Sequence, residues 1–144
     1  MYTQILSVAI SPVQNHIASG GDDGRLFVMD SITGDVKFTC DAHKCWVRCV
    51  TYSPDGTRIA TCSDDSTISV WDADDGSCLL GPFHCDVGPV LAVTYSPDGE
   101  VLISGNAHPR ATFSLGILRS ACRPREQRRY RPFLGSQHPH VWPA

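Results

Sequence analysis

The feature that most constrains the fold of this chain is an internal repeat with a period of about 42 residues. The tetrapeptide Ser-Pro-Asp-Gly stands at 53–56 and at 96–99, and Ser11-Pro12 precedes the first of them by 42 residues. Two further marks keep nearly the same spacing: Met29-Asp30 with Trp71-Asp72, and His43 with His84. Self-similarity at such a period indicates stacked copies of one supersecondary unit.

Each copy is predicted to contain four short strands. In the second unit the strands are rich in β-branched and aromatic residues, and turn residues separate them. Its predicted strands are Val47–Tyr52, Arg58–Cys62, Thr67–Trp71 and Ser77–Leu80. Those of the first unit are Ile5–Ile10, His16–Ser19, Arg25–Met29 and Asp35–Thr39. Four strands joined by tight turns favour an antiparallel sheet in each unit.

In this order and at this spacing, the marks resemble the WD40 repeat family over about residues 5–106, and the second unit is the most similar. The resemblance implies an all-β fold, a partial WD40 β-propeller built from four-stranded antiparallel blades. It also implies one structural hydrogen-bond group in the second unit, made by His43, Thr61, Asp65 and Trp71. The first unit has Met29 where the tryptophan is expected.

Composition divides the chain near residue 106. Residues 1–106 carry five basic and fourteen acidic side chains, whereas residues 107–144 carry seven arginines, one glutamate and five of the ten prolines. We predict a partial propeller over 1–106, with blade one at about 5–40, blade two at about 46–82 and half a blade at about 90–106. Residues 107–144 lack the repeat, and we expect a disordered or irregular tail there.

A ring of these units is not expected to close within one chain. Propellers have 4 to 8 blades, and four blades of this period need roughly 170 residues, whereas the chain has 144. An incomplete ring leaves apolar sheet faces in water. Three outcomes follow: self-association through the exposed blade faces, completion by another chain, or a gene product cut from a longer one. The abrupt change of composition favours the last.

The sequence places the protein inside the cell, in the cytoplasm or the nucleus. No apolar run reaches the roughly 18 to 20 residues that a membrane span needs, and the first residues lack the features of a secretory signal. We therefore expect no membrane partner. Seven cysteines, an odd number, favour reduced thiols over a disulfide framework.

Three patterns suggest chemistry, and each has a simpler interpretation. A Ser/Thr, His and Asp set suggests a hydrolase, but the tryptophan makes a fourth member, which favours a structural role. Asp72–Gly76 lacks the Gly and Glu spacing of a calcium loop. A zinc site is suggested by Cys40, His43, Cys45 and Cys49, although no second cysteine pair completes it. We therefore predict no enzyme activity, no metal and no cofactor.

Recognition is the function that remains. The resemblance implies a non-enzymatic protein-protein interaction scaffold. Its partner is unknown, and that partner is expected to dock on the loop before the first strand of a unit and on the loop between the second and third strands. The candidate contact residues on those loops are Lys44, Trp46, Asp64 and Asp22. The alternative is an RNA-associated protein that binds through its arginine-rich tail, although we do not expect nucleic acid as the main partner.

Overall fold

A computed structural model of the chain describes residues 3–85, 88–108, 111–119 and 131–133, with side chains described through residue 106. Every regular element in these ranges is a β-strand, and they contain no helix long and apolar enough to cross a membrane. The strands form three antiparallel sheets. Sheet 1 contains β1 Ile5–Ile10, β2 His16–Gly21, β3 Arg25–Asp30 and β4 Val36–Asp41. Sheet 2 contains β5 Val47–Tyr52, β6 Arg58–Ser63, β7 Thr67–Asp72 and β8 Cys78–His84. Sheet 3 contains β9 Val90–Tyr95, β10 Val101–His108, β11 Ala111–Arg119 and β12 Arg131–Phe133.

The prediction of an all-β fold made of four-stranded antiparallel blades is confirmed. Within each sheet the strands pair in chain order, and the predicted strands of the first two units agree with β1 to β8 to within a few residues. The agreement arises because tight turns rich in Asp, Gly and Pro join neighbouring strands, and such turns bring consecutive segments side by side.

The Ser-Pro-Asp-Gly turns make the same hydrogen bonds in both copies. In the second unit the Gly56 N–H donates to the Ser53 carbonyl at 2.9 Å, and the Arg58 N–H donates to the Ser53 hydroxyl at 3.0 Å. In the third unit Gly99 and Val101 donate to Ser96 in the same way, at 2.8 and 3.0 Å. The serine side chain therefore fixes the register of the first hairpin in sheets 2 and 3.

Two hydrophobic clusters hold the three sheets together. One lies between sheets 1 and 2, and its buried members are Ala18, Leu26, Val28, Val47, Val50, Tyr52, Ile59, Trp71 and Ala73. The other lies between sheets 2 and 3, and its buried members are Ala60, Cys62, Ile68, Val70, Cys85, Val90, Val93, Tyr95 and Leu102. Sheet 2 thus buries both faces, which explains why its strands carry apolar residues in both side-chain directions.

The sheets approach one another most closely along their first strands, where β1 contacts β5 and β5 contacts β9. At Gly20 of β2 the approach is so close that a Cβ atom would lie 2.5 Å from Val47 Cγ1 and 3.0 Å from Val50 Cγ2. Residues of small volume at this position therefore let the next sheet pack tightly.

The predicted half blade is too short. Ala111–Arg119 pairs with β10 and Arg131–Phe133 pairs with β11, so the third sheet has four strands. The sequence of β11 alternates apolar and polar residues for about seven positions only, which is too short a run to predict a strand from the sequence alone. A strand is commonly no longer than that. The expected irregular tail otherwise falls on residues 109–110, 120–130 and 134–144, outside the described part of the chain.

Candidate functional site

The four residues of the predicted hydrogen-bond group come from four different segments of the second unit. His43 lies in the connection between β4 and β5, Thr61 in the middle of β6, Asp65 in the turn after β6, and Trp71 in β7. The structure brings them together. The Thr61 hydroxyl oxygen lies 2.8 Å from His43 Nε2 and accepts a hydrogen bond from Trp71 Nε1 at 2.9 Å. The other imidazole nitrogen, Nδ1, is 3.3 Å from Asp65 Oδ2.

Thr67 joins the same group, and its bonds fix the direction of every proton. Its hydroxyl donates to Asp65 Oδ1 at 2.6 Å and lies 2.9 Å from His43 Nδ1. The Thr67 hydroxyl has one proton, which it donates to the Asp65 carboxylate. The contact with His43 must therefore be a hydrogen bond from the His43 Nδ1–H to the Thr67 oxygen. His43 Nε2 is then an acceptor, and the Thr61 hydroxyl donates to it. Donation therefore runs in one direction, from Trp71 through Thr61, His43 and Thr67 to Asp65.

The ionisation of the group agrees with this assignment. Burial lowers the pKa of His43 below its ordinary value of 6.5, against the opposing effect of the Asp65 carboxylate, so the imidazole is neutral near pH 7. Burial raises the pKa of Asp65, but hydrogen bonds from Thr67 and from the Lys44 N–H outweigh it and hold the pKa below 3.8. The group is a neutral histidine beside an ionised carboxylate.

Solvent does not reach the hydroxyl that a hydrolase would use as its nucleophile. Thr61 is fully buried, and the side chain of His43 is fully buried as well. A nucleophile in acyl transfer must face a cleft that admits substrate and provides donors for the oxyanion. The Thr61 oxygen instead accepts from an indole and donates to an imidazole, so its proton and one of its two lone pairs are occupied by the protein.

The described residues of the other two units do not form this group. In the first unit Met29 replaces the tryptophan, and in the third the hydroxyl of Ser104 lies 3.5 Å from Asn106 Oδ1. His84 does not match His43: it is exposed at the end of β8. In the first unit the Gly24 carbonyl accepts from the N–H groups of Ala42 and His43. Ser66 stands at the position of Gly24 in the second unit, and its carbonyl accepts from the N–H of the buried Cys85, not from His84. His84 therefore lies one or two residues before the position that matches His43 in the structure.

The patterns that suggested metals form no ion site in the described residues. Nowhere in that part of the chain do three or more His, Cys, Asp or Glu side chains gather as a metal would require. Both nitrogens of His43 have protein partners, and Asp72–Gly76 is a hairpin turn. In this turn the Asp72 carboxylate accepts from the N–H groups of Asp74 and Asp75 at 2.8 and 3.3 Å.

The candidate contact residues lie on one edge of sheets 1 and 2, which we call the loop edge: residues 22–24, 42–46 and 64–66. Hydrogen bonds between main chains hold these loops together. Ala42 and His43 donate to the Gly24 carbonyl, and Asp64 donates to the Trp46 carbonyl at 3.2 Å. Asp65 adds a side-chain link, because its carboxylate accepts from the Lys44 N–H at 2.9 Å.

Trp46 is large, apolar and 45% exposed, and its ring packs against an arginine. The guanidinium carbon of Arg48 lies 4.9 Å from the centroid of its ring, a cation–π distance. Arg48 in turn binds Asp64 through two parallel hydrogen bonds of 2.7 and 2.6 Å. This fork-to-carboxylate geometry restricts the guanidinium more than a single bond does. Trp46, Arg48 and Asp64 therefore form one connected cluster on the loop edge, which we call the Trp46 cluster.

Asp22 occupies in sheet 1 the position that Asp64 occupies in sheet 2. Its carboxylate accepts from the Gln4 N–H at 3.0 Å, and its own N–H donates to the Gln4 carbonyl at 3.0 Å. Leu6 stands where the second unit has Arg48, so no ion pair forms at this position of sheet 1. The loop edge is therefore preorganised more strongly around sheet 2.

Two members of the site were not predicted from the sequence, Thr67 and Arg48. Thr67 follows Asp65 by two residues, the spacing at which an aspartate carboxylate commonly accepts a hydrogen bond from a backbone N–H later in the chain. Arg48 lies on β5 and follows Trp46, the residue just before that strand, by two positions, a spacing that favours one face for both side chains. Within the segment Arg119 to Arg131 proposed for RNA binding, Arg123, Arg125, Arg128, Arg129 and Tyr130 lie outside the described residues.

Comparison with known proteins finds one family and several relatives. Residues 2–30 and 34–72 each match the family described as "WD domain, G-beta repeat". Over 97 residues, 66% of this chain, the sequence is 35% identical to WD repeat-containing protein 1 of Gallus gallus. The mouse protein of that name, from Mus musculus, is 36% identical over 62% of the chain. Transcriptional corepressor LEUNIG_HOMOLOG of Arabidopsis thaliana is 31% identical over 60% of the chain. The matched segments cover 16%, 15% and 11% of these relatives.

Proposed function

Because this chain belongs to the WD40 repeat family, we propose that it is a non-catalytic protein-interaction scaffold whose partner binds the loop edge at the Trp46 cluster. The observation that carries this proposal is an exposed tryptophan whose ring packs against an arginine that is itself bound by a carboxylate. Proteins of this family generally act as scaffolds, and the buried Thr61 hydroxyl leaves the best candidate for a catalytic group without access to substrate.

Rigidity matters because binding costs conformational entropy. Ordering one flexible side chain at an interface costs roughly 0.5 to 1.5 kcal/mol. Arg48 and Asp64 restrict Trp46 before any partner arrives, so less of this cost remains at binding. Tryptophan and arginine are also the side chains that most often dominate the energy of protein interfaces. The Trp46 cluster therefore has the composition and the preorganisation of an interface centre.

The charges around Trp46 define the chemistry of the partner surface. Lys44 is exposed beside it, and the Asp64 and Asp22 carboxylates lie at the neighbouring turns of the loop edge. We propose a protein surface with an apolar pocket for the indole and polar groups of both signs around it. This arrangement matches the common pattern of an apolar interface centre with a polar rim.

The hydrogen-bond group of His43, Thr61, Asp65 and Trp71 supports the loop edge from below. Asp65 binds the Lys44 N–H, and His43 anchors the same connection to β6 through Thr61. We propose a structural role: the group sets the position of residues 43–46, and its loss displaces Trp46. An intracellular location, in the cytoplasm or the nucleus, goes with this function, and one relative is named a transcriptional corepressor.

The experiment is quantitative affinity capture of the tagged full chain from cells, followed by mass spectrometry, for the native sequence and for Trp46→Ala. We expect a defined set of proteins to be depleted at least tenfold with the variant. Leu79→Ala is the matched control, because Leu79 is also 45% exposed but lies on β8, away from the loop edge.

Far-ultraviolet circular dichroism and the thermal transition must show that both variants are folded like the native chain. Purified partner and native chain should then bind directly, and Trp46→Ala should weaken that binding while Leu79→Ala does not. Equal capture by all three proteins, or equal loss with both variants, contradicts a partner site at the Trp46 cluster.

A further inference from the structure

Two cysteines, Cys49 and Cys62, face each other across the first hairpin of sheet 2. They are direct partners in the antiparallel pairing of β5 with β6, and both side chains pack in the cluster between sheets 2 and 3. Direct partners in such a pair have Cα atoms about 4.5 to 5.5 Å apart. The Cα atoms of a disulfide are usually about 4.4 to 6.8 Å apart. The backbone therefore places the two thiols where a disulfide can join them without moving the strands.

The repeat shows that packing alone does not require a cysteine pair at this place. The matching partners are Ser7 and Gly20 in sheet 1, and Ala92 and Gly105 in sheet 3. Any combination of small side chains therefore satisfies the position. Among the three described sheets, sheet 2 alone has a thiol on both strands, which gives it a chemistry that the other two sheets lack.

The two thiols differ in ionisation because they contact each other. The hydrogen bond from Cys62 lowers the pKa of Cys49 to about 6, against the opposing effect of burial. The same contact, together with burial, raises the pKa of Cys62 above its ordinary value. Near neutral pH the negative charge therefore lies on Cys49 and the proton on Cys62. A thiolate beside a protonated thiol is the arrangement of a redox-sensitive cysteine and its resolving partner.

We propose that a peroxide oxidises this pair to a reversible disulfide within the chain. The Cys49 sulfur attacks one oxygen of hydrogen peroxide, and the O–O bond breaks to give a sulfenic acid and hydroxide, which solvent protonates to water. The Cys62 sulfur then attacks the Cys49 sulfur. The S–S bond forms, and the hydroxyl group leaves with the Cys62 proton as a second water. The two sulfurs lose two electrons, and one peroxide becomes two waters.

The second step is favoured by the first. The Cys49 contact that raises the pKa of Cys62 involves a negative sulfur, and that charge is gone once Cys49 is a neutral sulfenic acid. Cys62 then releases its proton more readily as it attacks. Its sulfur is already in contact with the sulfur that it must reach, so the resolving step needs no rearrangement of β5 or β6.

Cys85 is the competing partner for Cys62, because it lies in the same hydrophobic cluster. It does not lie on a strand that pairs with β6, since those strands are β5 and β7. Cys49 is also only partly buried, whereas Cys85 is 3% exposed. An oxidant as small as hydrogen peroxide therefore meets Cys49 first, and Cys62 is the thiol across from it.

The disulfide makes the hairpin below the Trp46 cluster sensitive to oxidation. Arg48 directly precedes Cys49, and Asp64 follows Cys62 by two residues. In the reduced chain, only hydrogen bonds and packing hold β5 to β6 at this open end of the hairpin. In the oxidised chain a covalent bond joins them as well. This chemistry belongs to the hairpin itself and does not depend on a partner at the loop edge.

Peptide mapping of the full chain tests the disulfide. The reduced protein is freed of reductant and treated with a small excess of hydrogen peroxide at neutral pH, and its remaining thiols are alkylated with N-ethylmaleimide in denaturant. Trypsin cleaves after Arg48 and Arg58, and endoproteinase Asp-N cleaves before Asp64, so each of the two cysteines falls on a short peptide of its own. We expect the Cys49 and Cys62 peptides to be joined, with the loss of two hydrogens, and to separate on treatment with dithiothreitol.

Two variants separate the disulfide from other oxidation. Cys62→Ser keeps a hydrogen-bond donor but removes the resolving sulfur, so Cys49 should stop at the sulfenic acid, which dimedone labels. Cys45→Ser is the matched control, because Cys45 is exposed and lies outside the pair. It should form the same disulfide as the native chain. Circular dichroism verifies that both variants are folded.

Alkylation of both Cys49 and Cys62 after peroxide treatment overturns the proposal. A linkage of either residue to Cys85, or to a second chain, overturns it as well. The peptide map of the native chain decides between these outcomes even where a variant does not fold. Trp46→Ala should form the same disulfide as the native chain, so failure of the proposed function and failure of this inference are distinguishable.

Discussion

Trp71 Nε1 donates a hydrogen bond of 2.9 Å to the hydroxyl of Thr61, a residue that is itself completely buried in the middle of β6. The same hydroxyl is 2.8 Å from His43 Nε2. One oxygen therefore links strand β7, strand β6 and the connection that leads into β5. Buried polar groups are tolerated when every member has a partner, and a group left without one is costly.

Replacing Thr61 by valine should destabilise the protein strongly although the two side chains have nearly the same shape. Valine leaves both the Trp71 N–H and His43 Nε2 buried without partners, and each orphaned group costs roughly 1 to 3 kcal/mol. For the two groups together we expect a loss of about 2 to 6 kcal/mol in the free energy of unfolding, measured by urea denaturation. Thr51→Val is the matched control on the neighbouring strand: the Thr51 hydroxyl contacts only the adjacent Tyr52 carbonyl at 3.4 Å. A Thr61→Val protein as stable as this control contradicts the role assigned to the hydroxyl.

The stability of the fold should fall as the pH drops below about 6.5, because of His43. Burial lowers the pKa of His43 in the folded state, so the unfolded chain binds this proton more readily. The free energy of unfolding is then unaffected above the ordinary pKa of 6.5 and decreases below it, by at most about 1.4 kcal/mol per pH unit, until the lowered pKa is reached. Urea titrations between pH 7.5 and 5 measure the slope. His43→Gln should be less stable at pH 7.5 but nearly flat over this range, and a native slope retained by that variant would assign it to another group.

The fold could be predicted largely from the repeat, because its marks lie in the turns. Ser53 and Ser96 bond their own turns identically, so a motif 43 residues apart in sequence reports two identical hairpins in space. Strand β11 carries no such mark. Only a short alternation of apolar and polar residues marks β11 in the sequence. Its pairing with β10 is a tertiary contact that the repeat does not report. The fourth strand, Arg131–Phe133, is three residues long and left no pattern at all.

The site was predictable only in part, because its members are joined by the tertiary structure. His43 and Thr61 were identified through the family resemblance, which carries spatial information that spacing alone lacks. Arg48 was missed, since a lone arginine on a strand gives no sign that Asp64 lies within 2.6 Å of it. His84 was placed by spacing, and the structure shows that Cys85 makes the matching main-chain bond.

Ser66→Gly should stabilise the protein by about 0.5 to 1 kcal/mol, because serine rarely adopts the left-handed backbone conformation found there. Ser66 has a φ of 66°, and Gly24 at the same position of the first unit has a φ of 77°. A side chain at Gly24 should instead destabilise the protein, because its Cβ atom would clash with the His43 carbonyl oxygen. We expect Gly24→Ala to cost about 2 to 3 kcal/mol. Thermal and urea unfolding of both variants check the opposite signs, and a gain at neither or a loss at both refutes the backbone argument.

Cys49 should react with iodoacetamide at a pH where ordinary thiols are inert. A hydrogen bond from Cys62, its direct partner across β5 and β6, lowers the pKa of Cys49 from 9.0 to about 6, against the opposing effect of burial. The thiolate is the nucleophile, so its alkylation rate should rise through pH 6. Cys62→Ala removes the donor and should move the midpoint toward 9.0, whereas Cys62→Ser keeps a donor and should leave it low. Peptide mass spectrometry after timed labelling reads out each cysteine separately. Identical pH profiles for the alanine and serine variants would show that the Cys62 hydrogen bond does not set the reactivity of Cys49.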